Sequence, residues 1–234
     1  MSSFHQYPRR RRDTRRGNYS DLRVLFLIWQ QVQRLPVKPP VTLALVAAQC
    51  GLFFHSFLLP DLALSSSFLI REGCLQPHAV LAGAYHRVLA CAFLHVDEQH
   101  LLYNMLSFIM KGASLEARRG SESYAWLLAR LVVLCGAIHT LLALALEQLS
   151  FDREASSCAV GFSAVLFALK TIESHDSAGH ARVAGWSVPM RFVSWAELVY
   201  ISVLNPQASW LGHAAGILAG LVELKVVPAG RRLL

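Results

Sequence analysis

Long apolar segments separated by polar ones run through most of this chain. The segment at residues 41–59 carries no formally charged side chain and approaches the roughly 20 residues that a helix needs to cross a bilayer. Five further apolar segments lie at residues 99–115, 124–146, 158–172, 190–204 and 210–227. Several of them carry charged side chains, such as Lys111, Arg130, Lys170 and Glu197. A bundle tolerates such charges near span ends or facing its interior, so the pattern predicts an all-α membrane protein with six transmembrane helices.

The segments outside these spans divide the chain further. Residues 22–35 are apolar but too short to cross and are broken by polar side chains, so residues 22–40 are expected to form an interfacial helix and a Pro-rich linker. Residues 60–99 are too polar to cross, which predicts a large loop between the first two spans. Residues 1–21 form a basic arm that is expected to be disordered. The membrane domain then covers residues 41–228, and a short basic tail covers 229–234.

Composition supports the membrane assignment. The 234 residues include 54% hydrophobic and 16% charged side chains, and the mean hydropathy is +0.40, which is too apolar for an ordinary soluble domain. The net charge of +7 is concentrated at the termini and one loop, without a basic face interleaved with aromatic residues. We therefore expect no nucleic-acid binding, and we interpret the charge as orientation and attraction to anionic lipid.

The distribution of basic residues predicts the orientation. With the N-terminal arm in the cytosol, six spans place the basic residues of two loops and the tail on the same side. These are Arg118, Arg119, Arg182, Arg231 and Arg232. The opposite loops at residues 148–157 and 205–209 hold only Arg153. Both termini are therefore expected in the cytosol and the large loop in the lumen. An organelle transit peptide is the alternative interpretation of the Arg-rich start.

Two predicted spans carry small residues at helical spacing beside a reactive side chain, Ser163 in the fourth span and His213 in the last. The small residues are Gly161, Ala164 and Ala168 in the fourth span and Gly212, Gly216 and Gly220 in the last. Such stripes let helix backbones approach closely. Both helices run inward from the lumen, so Ser163 and His213 are expected at nearly equal depth, about one and a half turns below the outer face. A serine and a histidine brought together inside a membrane are the minimum for nucleophilic catalysis.

Four separated motifs in this chain resemble those of the rhomboid intramembrane serine proteases. The motifs are Gly161, Phe162 and Ser163; His100 and Asn104; Glu116 and Arg118 followed by Gly120; and Gly212, His213, Gly216 and Gly220. The resemblance covers residues 41–227 and implies a rhomboid-like six-helix bundle with a large luminal loop between helices 1 and 2. Residues 158–163 and 165–170 are most similar to the endoplasmic-reticulum rhomboid linked to degradation of membrane proteins.

The resemblance implies an intramembrane serine endopeptidase that cleaves transmembrane or membrane-proximal peptide bonds with a Ser-His dyad. Ser163 would be the nucleophile, and His213 the general base and then the general acid. His100 and Asn104, one helical turn apart, would donate to the oxyanion together with the backbone N–H of Ser163. No third, acidic residue is needed in this family's dyad. The supporting residues would be Gly161, Phe167, Gly212, Gly216, Gly220, Glu116 and Arg118.

The chain departs from the family at two positions. His86 precedes Arg87 where the family commonly has a tryptophan. Phe167 occupies the place where many rhomboids have a tyrosine under the histidine; a phenylalanine ring can stack there but cannot form a hydrogen bond. His95 resembles a loop histidine of the family and is expected to be structural.

Structural interpretations of the same residues remain open at the level of sequence. Ser163 could serve helix packing, the usual role of serine in membrane helices. His100 and Asn104 could be a polar pair that caps a helix or bonds to a loop. Glu116 and Arg118 are either a structural latch on the cytosolic side of the second helix or a charged face turned to water.

The sequence predicts neither a metal nor a cofactor. His95, Asp97 and His100 lack the helical i, i+4 histidine pair of zinc sites. Five cysteines, mostly inside predicted spans, do not form a disulfide framework. Cys74 and Cys158 are both predicted to be luminal, where disulfides are permitted. Separate thiols are the favoured interpretation, and a bridge between these two cysteines is the alternative.

Two other functions compete with the protease. A catalytically inactive rhomboid-fold protein would bind membrane clients and aid their extraction, but it would lack Ser163 or His213, and both are present. A small transporter or channel is favoured by inverted repeats, and we find no internal repeat. The expected partners are membrane-protein substrates and the lipid bilayer, with degradation machinery as a candidate that this chain does not specify. The expected location is the endoplasmic-reticulum membrane, with a plastid or mitochondrial membrane as the alternative.

Overall fold

Helices make up most of the regular structure. The computed structural model describes residues 14–55, 65–151, 157–175 and 177–226. The helices in these ranges are α1 (Thr14–Gln33), α2 (Pro40–Phe53), α3 (Ser66–Gly73), α4 (Pro77–Leu81), α5 (His86–Ala90), α6 (Glu98–Arg119), α7 (Ser121–Glu147), α8 (Ser163–His175), α9 (Val193–Leu204) and α10 (Trp210–Val226). Short 3-10 helices cover Cys91–Phe93 and Met190–Phe192, and strands β1 (His180–Val183) and β2 (Trp186–Pro189) form a hairpin.

The core lies among α6, α7, α8 and α10. Helix α6 buries Leu101, Met105, Phe108 and Ile109, whose spacing places them on one face of the helix. Burying each of these side chains stabilises the fold by roughly 1.5–3 kcal/mol. Helices α8 and α10 form the most extensive pair, and α7 packs against both. These contacts hold the beginnings of α8 and α10 side by side.

The helices agree with the predicted all-α fold, whereas the number of membrane spans remains a prediction. Within the described residues, α7 is the one helix that is long and apolar enough to cross a membrane, with a mean hydropathy of 2.1 over a stretch of 18 residues. Helix α2 is apolar but has 14 residues. The remainder of the first predicted span includes residues 56–59, which lie outside the described part of the chain.

The arm before the membrane domain is partly helical. Helix α1 begins at Thr14, so the disorder expected through residue 21 is wrong for residues 14–21. Residues 1–13 and 227–234, which contain the rest of the arm and the predicted tail, lie outside the described residues. Val24 and Ile28 are buried on the side of α1 that packs against α6, while Phe26 and Trp29 are exposed. Apolar exposure on one side fits an interfacial helix, which remains our interpretation.

The hairpin between α8 and α9 was not predicted. Its strands pair antiparallel from His180 opposite Pro189 to Val183 opposite Trp186. The two turn residues, Ala184 and Gly185, both have positive φ angles of 50° and 86°. This backbone matches the twist of a two-residue hairpin, and glycine at its second position lowers the strain. The alanine in the first position, where asparagine, aspartate or glycine is usual, concealed the turn in the sequence.

The fourth predicted span has a different beginning from the one expected. The apolar run starts at Cys158, but α8 starts at Ser163. Ala159 instead forms an antiparallel bridge with Leu75, and the Gly161 N–H donates to the carbonyl of Cys91 at 2.8 Å. These bonds keep the preceding residues out of the helix, so Ser163 is the first residue of α8 and does not lie one and a half turns along it.

The interpretation of Cys74 and Cys158 as separate thiols is wrong. The structure joins them in a disulfide with their Cα atoms 5.4 Å apart. Loop residues 65–97 fold into α3, α4, α5 and a 3-10 helix, which brings Cys74 beside the chain that enters α8. The sequence contained the alternative, but the two cysteines are 84 positions apart and only the packed loop brings them together.

Glu116 links the end of α6 to the beginnings of α2 and α7. Its carboxylate accepts hydrogen bonds from the backbone N–H groups of Val41 and Thr42, both at 2.9 Å, and from the hydroxyls of Thr42 and Ser121 at 2.8 and 2.7 Å. Glu116 is 3% exposed, so it is not part of a charged face turned to water. Arg118 differs, because it forms a half-exposed ion pair with Glu173. The latch is therefore centred on Glu116.

We expect Glu116→Ala to lower the free energy of unfolding by about 3 kcal/mol, because the buried N–H groups of Val41 and Thr42 lose a charged acceptor. Arg118→Ala removes an exposed pair on the same helix and is expected to cost no more than about 1 kcal/mol. Denaturant unfolding of both variants in the same detergent measures the difference. Equal losses for the two variants would contradict the central role of Glu116.

Candidate active site

Ser163 and His213 meet at the beginnings of two neighbouring helices. Ser163 is the first residue of α8, and His213 lies in the first turn of α10. His213 Nε2 lies 3.1 Å from Ser163 Oγ, so the hydroxyl can donate a hydrogen bond to the ring. His213 is 6% exposed. The structure thus brings the predicted nucleophile and the predicted base into direct, largely buried contact.

Glycines allow α8 and α10 to pack this closely. A Cβ atom on Gly216 would overlap the carbonyl of Ala164, and one on Gly220 would lie 2.7 Å from the carbonyl oxygen of Ala168. The two helices run parallel, because successive contacts advance by four residues along both chains. Backbone contact of this kind requires residues without large side chains. The small-residue faces predicted from the sequence are therefore in contact at these two levels.

Gly212 contributes differently from the other two glycines. A Cβ atom there would lie 3.2 Å from Ser209 Oγ and 3.9 Å from Nδ1 of His139 on α7. The Gly212 N–H donates to Ser209 Oγ at 3.1 Å. The expected three-glycine stripe against the fourth span is therefore wrong for Gly212. His139 is 2% exposed and was missed, although a histidine in an apolar span was the available signal.

Phe167 supports the histidine ring from one turn further along α8. Its ring stacks on that of His213 with centroids 4.5 Å apart and planes inclined by 26°. Stacking fixes the tilt of the imidazole without a hydrogen bond, as the sequence suggested for a phenylalanine at this place. His213 Nδ1 is buried and has no hydrogen-bond partner among the described residues. The position of the ring thus depends on Ser163, Phe167 and the packing of α10.

The carboxylates of the last two helices are paired with basic residues. Glu223 on α10 accepts hydrogen bonds from Arg130 on α7 at 2.5 and 3.2 Å. Glu197 on α9 forms an ion pair with Lys170 on α8. The sequence shows the charges of Arg130, Lys170 and Glu197 but not which residues pair with them, because this depends on which helices are neighbours. Both pairs connect helices that carry or flank the Ser163–His213 contact.

His100 and Asn104 lie against the backbone that leads into Ser163. A Cβ atom on Gly161 would lie 2.6 Å from His100 Nε2 and 3.6 Å from Asn104 Nδ2. Gly161 has a φ angle of +115°, which glycine adopts readily and other residues do not. Asn104 is 4% exposed, and its Nδ2 has no hydrogen-bond partner within the described ranges. Two potential side-chain donors therefore converge beside the backbone that leads into Ser163, and neither side chain caps a helix.

Asp97 and His95 hold the beginning of α6 in place. The Asp97 side chain accepts the His100 N–H at 2.8 Å as the N-cap, a role that sequence analysis had considered for His100 and Asn104. The ring of His95 contacts that of His100 edge-on, with centroids 5.0 Å apart. Burial, and then the neighbouring His100, lower the pKa of His95 to about 3, so this ring is neutral. His95 is thus a packing partner of His100, as expected.

Comparison with known families gives a match to the rhomboid domain over residues 82–227. The chain is also similar to two curated proteins over most of its length. It is 38% identical to rhomboid-like protein 14, mitochondrial, of Arabidopsis thaliana over 82% of this chain and 58% of that protein. It is 39% identical to human rhomboid-related protein 4 over 85% of this chain and 61% of that protein. The chain therefore spans about three fifths of the length of these relatives.

A more distant similarity concerns a protein named as a protease. The chain is 25% identical to rhomboid-type serine protease B of Aspergillus fumigatus over 71% of this chain and 62% of that protein. The range that matches the rhomboid domain, residues 82–227, contains Ser163, His213, His100 and Asn104. All four residues of the site described above therefore lie inside the part of the chain that matches the rhomboid domain.

Proposed function

The chain belongs to the rhomboid family of membrane-embedded proteins, and from this premise we propose that it is an intramembrane serine endopeptidase with Ser163 and His213 as its catalytic pair. One observation carries the proposal: Ser163 Oγ and His213 Nε2 lie 3.1 Å apart between two tightly packed helices. A serine that served helix packing alone would not need an imidazole nitrogen at its hydroxyl. Proximity of a nucleophile and a base is the first requirement of general-base catalysis.

In the proposed reaction, the Ser163 hydroxyl attacks a peptide carbonyl and its proton passes to His213 Nε2. The imidazolium then gives this proton to the leaving amine as the C–N bond breaks, which leaves an acyl ester on Ser163. Water completes the cycle by attacking the ester: His213 takes a proton from the water and returns one to the serine oxygen. The carboxylic acid is released, and both side chains regain their starting protonation.

The oxyanion of the tetrahedral intermediate is proposed to be stabilised by three donors. Ser163 is the first residue of α8, where the backbone N–H groups have no intrahelical partners and the helix dipole favours negative charge. His100 and Asn104 add side-chain donors beside Gly161, two residues before the nucleophile. Fixed donors of this kind are each worth about 3–4 kcal/mol in sites that exclude water. No metal or cofactor enters this mechanism.

The proposed substrates are transmembrane or membrane-proximal segments of other proteins. Ser163 and His213 lie where α8 and α10 begin, so the site is at one end of the bundle and not at its middle. The distribution of lysine and arginine assigns this end to the lumen and both termini to the cytosol. We therefore propose cleavage near the luminal surface of the membrane.

The endoplasmic reticulum is the proposed compartment, on the strength of the sequence around Ser163. A mitochondrial membrane is the alternative, because one relative is named as mitochondrial. Fractionation of cells that express the full chain at low level, with markers for both organelles, separates these locations. Recovery of the protein with the mitochondrial marker would overturn the proposed compartment without affecting the chemistry.

Labelling of the purified protein with a fluorophosphonate probe tests the proposed function. The wild-type protein should form a covalent adduct at Ser163 and should cleave a transmembrane reporter in liposomes, whereas Ser163→Ala should do neither. Binding of the reporter without labelling or cleavage of the wild-type protein would overturn the protease and support the catalytically inactive client-binding protein. Labelling of Ser163→Ala to the wild-type extent would show that another residue is the nucleophile.

We expect Gly216→Leu to lower the cleavage rate by about a hundredfold and the free energy of unfolding by about 1–3 kcal/mol. The leucine side chain would meet the carbonyl of Ala164, one residue after the nucleophile, and push the helices apart. Gly51→Leu on α2 is the matched control, because no atom of another described residue lies within 4 Å of its Cβ position. Cleavage kinetics and denaturant unfolding are measured on both variants. An unchanged rate and stability for Gly216→Leu would be incompatible with the close helix pair.

A further inference from the structure

The chain segment before Ser163 is attached to the loop at several points. Cys158 is bonded to Cys74 through the disulfide. The residues that directly follow the two cysteines are also bonded to each other. The Leu75 N–H donates to the Ala159 carbonyl at 2.8 Å, and the Ala159 N–H donates to the Leu75 carbonyl at 3.0 Å. Gly161 follows, with its own bond to the loop at the carbonyl of Cys91. The segment therefore has no regular structure of its own and takes its shape from the loop.

The loop side of this attachment is itself fixed by Arg87. This side chain is nearly buried, and its Nη1 donates to the carbonyl of Arg71 at 2.8 Å and to that of Cys74 at 3.0 Å. Arg71 lies in the last turn of α3, and Cys74 directly follows this helix. Cys74 is 3% exposed, and Leu75 is equally buried. The disulfide thus connects the segment before Ser163 to a rigid part of the loop and not to a free end.

The segment determines where the oxyanion donors lie relative to the nucleophile. Its Gly161 is in contact with the ring of His100, with 2.5 Å between the glycine Cβ position and His100 Cε1. Ser163 and its backbone N–H follow two residues later. Cys158 is only five positions before the nucleophile, so a shift of Cys158 is carried to Ser163 through a very short chain. A displacement of about 1 Å in an active site is enough to lower a rate a hundredfold.

We propose that the Cys74–Cys158 disulfide is a positioning element for catalysis, and that breaking it lowers the catalytic rate. This inference rests on the proposed protease function and adds the condition under which the protease is active. In a compartment that permits disulfides the bond holds the Ala159–Phe162 backbone in register with His100 and Asn104. In the reduced protein, two backbone hydrogen bonds at Leu75 and one at Gly161 remain, so the fold is retained. The backbone before Ser163 is then held less firmly against His100 and Asn104.

The switching reaction needs a dithiol as its reductant. A thiolate of the dithiol attacks one protein sulfur, and the S–S bond breaks through a mixed disulfide. The second dithiol sulfur then displaces the protein, which leaves Cys74 and Cys158 as thiols with one proton each and the dithiol as a cyclic disulfide. Cys158 is partly exposed, whereas Cys74 is buried, so the attack is directed to the side of Cys158.

Reversible reduction of one protein preparation tests the inference without any substitution. Dithiothreitol should lower kcat for the transmembrane reporter by about ten- to a hundredfold with KM changed less than about twofold, and reoxidation with oxidised glutathione should restore it. The double variant Cys74→Ser, Cys158→Ser should have the low kcat from the start and should no longer respond to dithiothreitol. Cys50→Ala, which removes a free cysteine, should respond as the wild type does.

Three results would overturn the inference and leave the proposed function standing. One is a thiol-alkylation assay that finds Cys74 and Cys158 free in protein made in an oxidising compartment. Another is a reduced protein with the kcat of the oxidised one, which would leave the protease intact and remove the positioning role. A rise in KM at constant kcat would assign the bond to substrate docking instead. If the oxidised wild-type protein neither reacts with fluorophosphonate nor cleaves, then the proposed function fails, and this inference fails with it.

Discussion

Ser163→Ala and His213→Ala are each expected to lower the rate of reporter cleavage by about 10⁶-fold, and the double variant is expected to be no slower than either single one. In the proposed mechanism the two side chains act as one unit, because the hydroxyl attacks only as its proton moves to the imidazole 3.1 Å away. Removing either side chain therefore removes the whole nucleophilic step. Single-turnover cleavage in liposomes, with enzyme in excess over substrate, measures the chemical rate directly.

Loss of activity has to be separated from loss of structure. Ser202→Ala is a matched control for the serine, since the Ser202 hydroxyl donates a hydrogen bond to the Leu198 carbonyl of its own helix. His78→Ala is the control for the histidine, since that ring forms a half-exposed pair with Glu147. Both controls should cleave at the wild-type rate, and all four variants should unfold at similar denaturant concentrations. Near-wild-type cleavage by Ser163→Ala would show that the assignment of the pair is wrong.

Asn104→Ala is expected to lower the chemical rate by about 10²- to 10³-fold while substrate affinity stays nearly constant. Asn104 Nδ2 is buried beside Gly161 without a partner among the described residues, so it is available for charge that develops only in the transition state. Ser163 and His213 remain in the variant. Labelling by a small fluorophosphonate should therefore continue, although more slowly than in the wild type.

His100→Ala should resemble Asn104→Ala, with an added loss of stability because His95 packs against the His100 ring. The chemical rate of the double variant should fall by less than the product of the two single-variant factors if the backbone N–H of Ser163 compensates in part. Asn205→Ala, an exposed asparagine just after α9, serves as the control with normal kinetics. Weaker substrate affinity at a normal chemical rate would indicate that Asn104 contributes to substrate docking. An unchanged affinity together with an unchanged chemical rate would indicate a structural role for Asn104.

The features that could be read from the sequence depend on local spacing. The period of apolar positions marks α6, α7, α9 and α10 to within a few residues, because burial of one helix face is decided within a few turns. Small residues at Gly216, Gly220, Ala164 and Ala168 indicated a close helix pair for the same reason. Ser163 and His213 stood out because a polar group in an apolar helix requires a partner.

The beginning of α8 could not be read in this way. Residues 158–162 continue the apolar run, and their composition contains no stop signal stronger than Gly161. The helix starts late because Ala159 and Gly161 bond to Leu75 and Cys91, which are about 70 to 84 positions earlier in the chain. This long-range pairing moves Ser163 to the helix terminus, where backbone N–H groups have no intrahelical partner and can take the oxyanion role proposed above.

The sequence by itself therefore determined the helical class, most helix positions and the two residues of the pair, because each depends on periodicity or on one residue in an unusual place. Only the tertiary structure decided that Cys74 is bonded to Cys158, that Glu116 joins three helices and that Gly212 faces His139 and not α8. Each of these contacts joins residues distant in the chain, and their energies depend on distance and direction in space. No local pattern carries that information, because the same residues would satisfy the same periodicity with different partners.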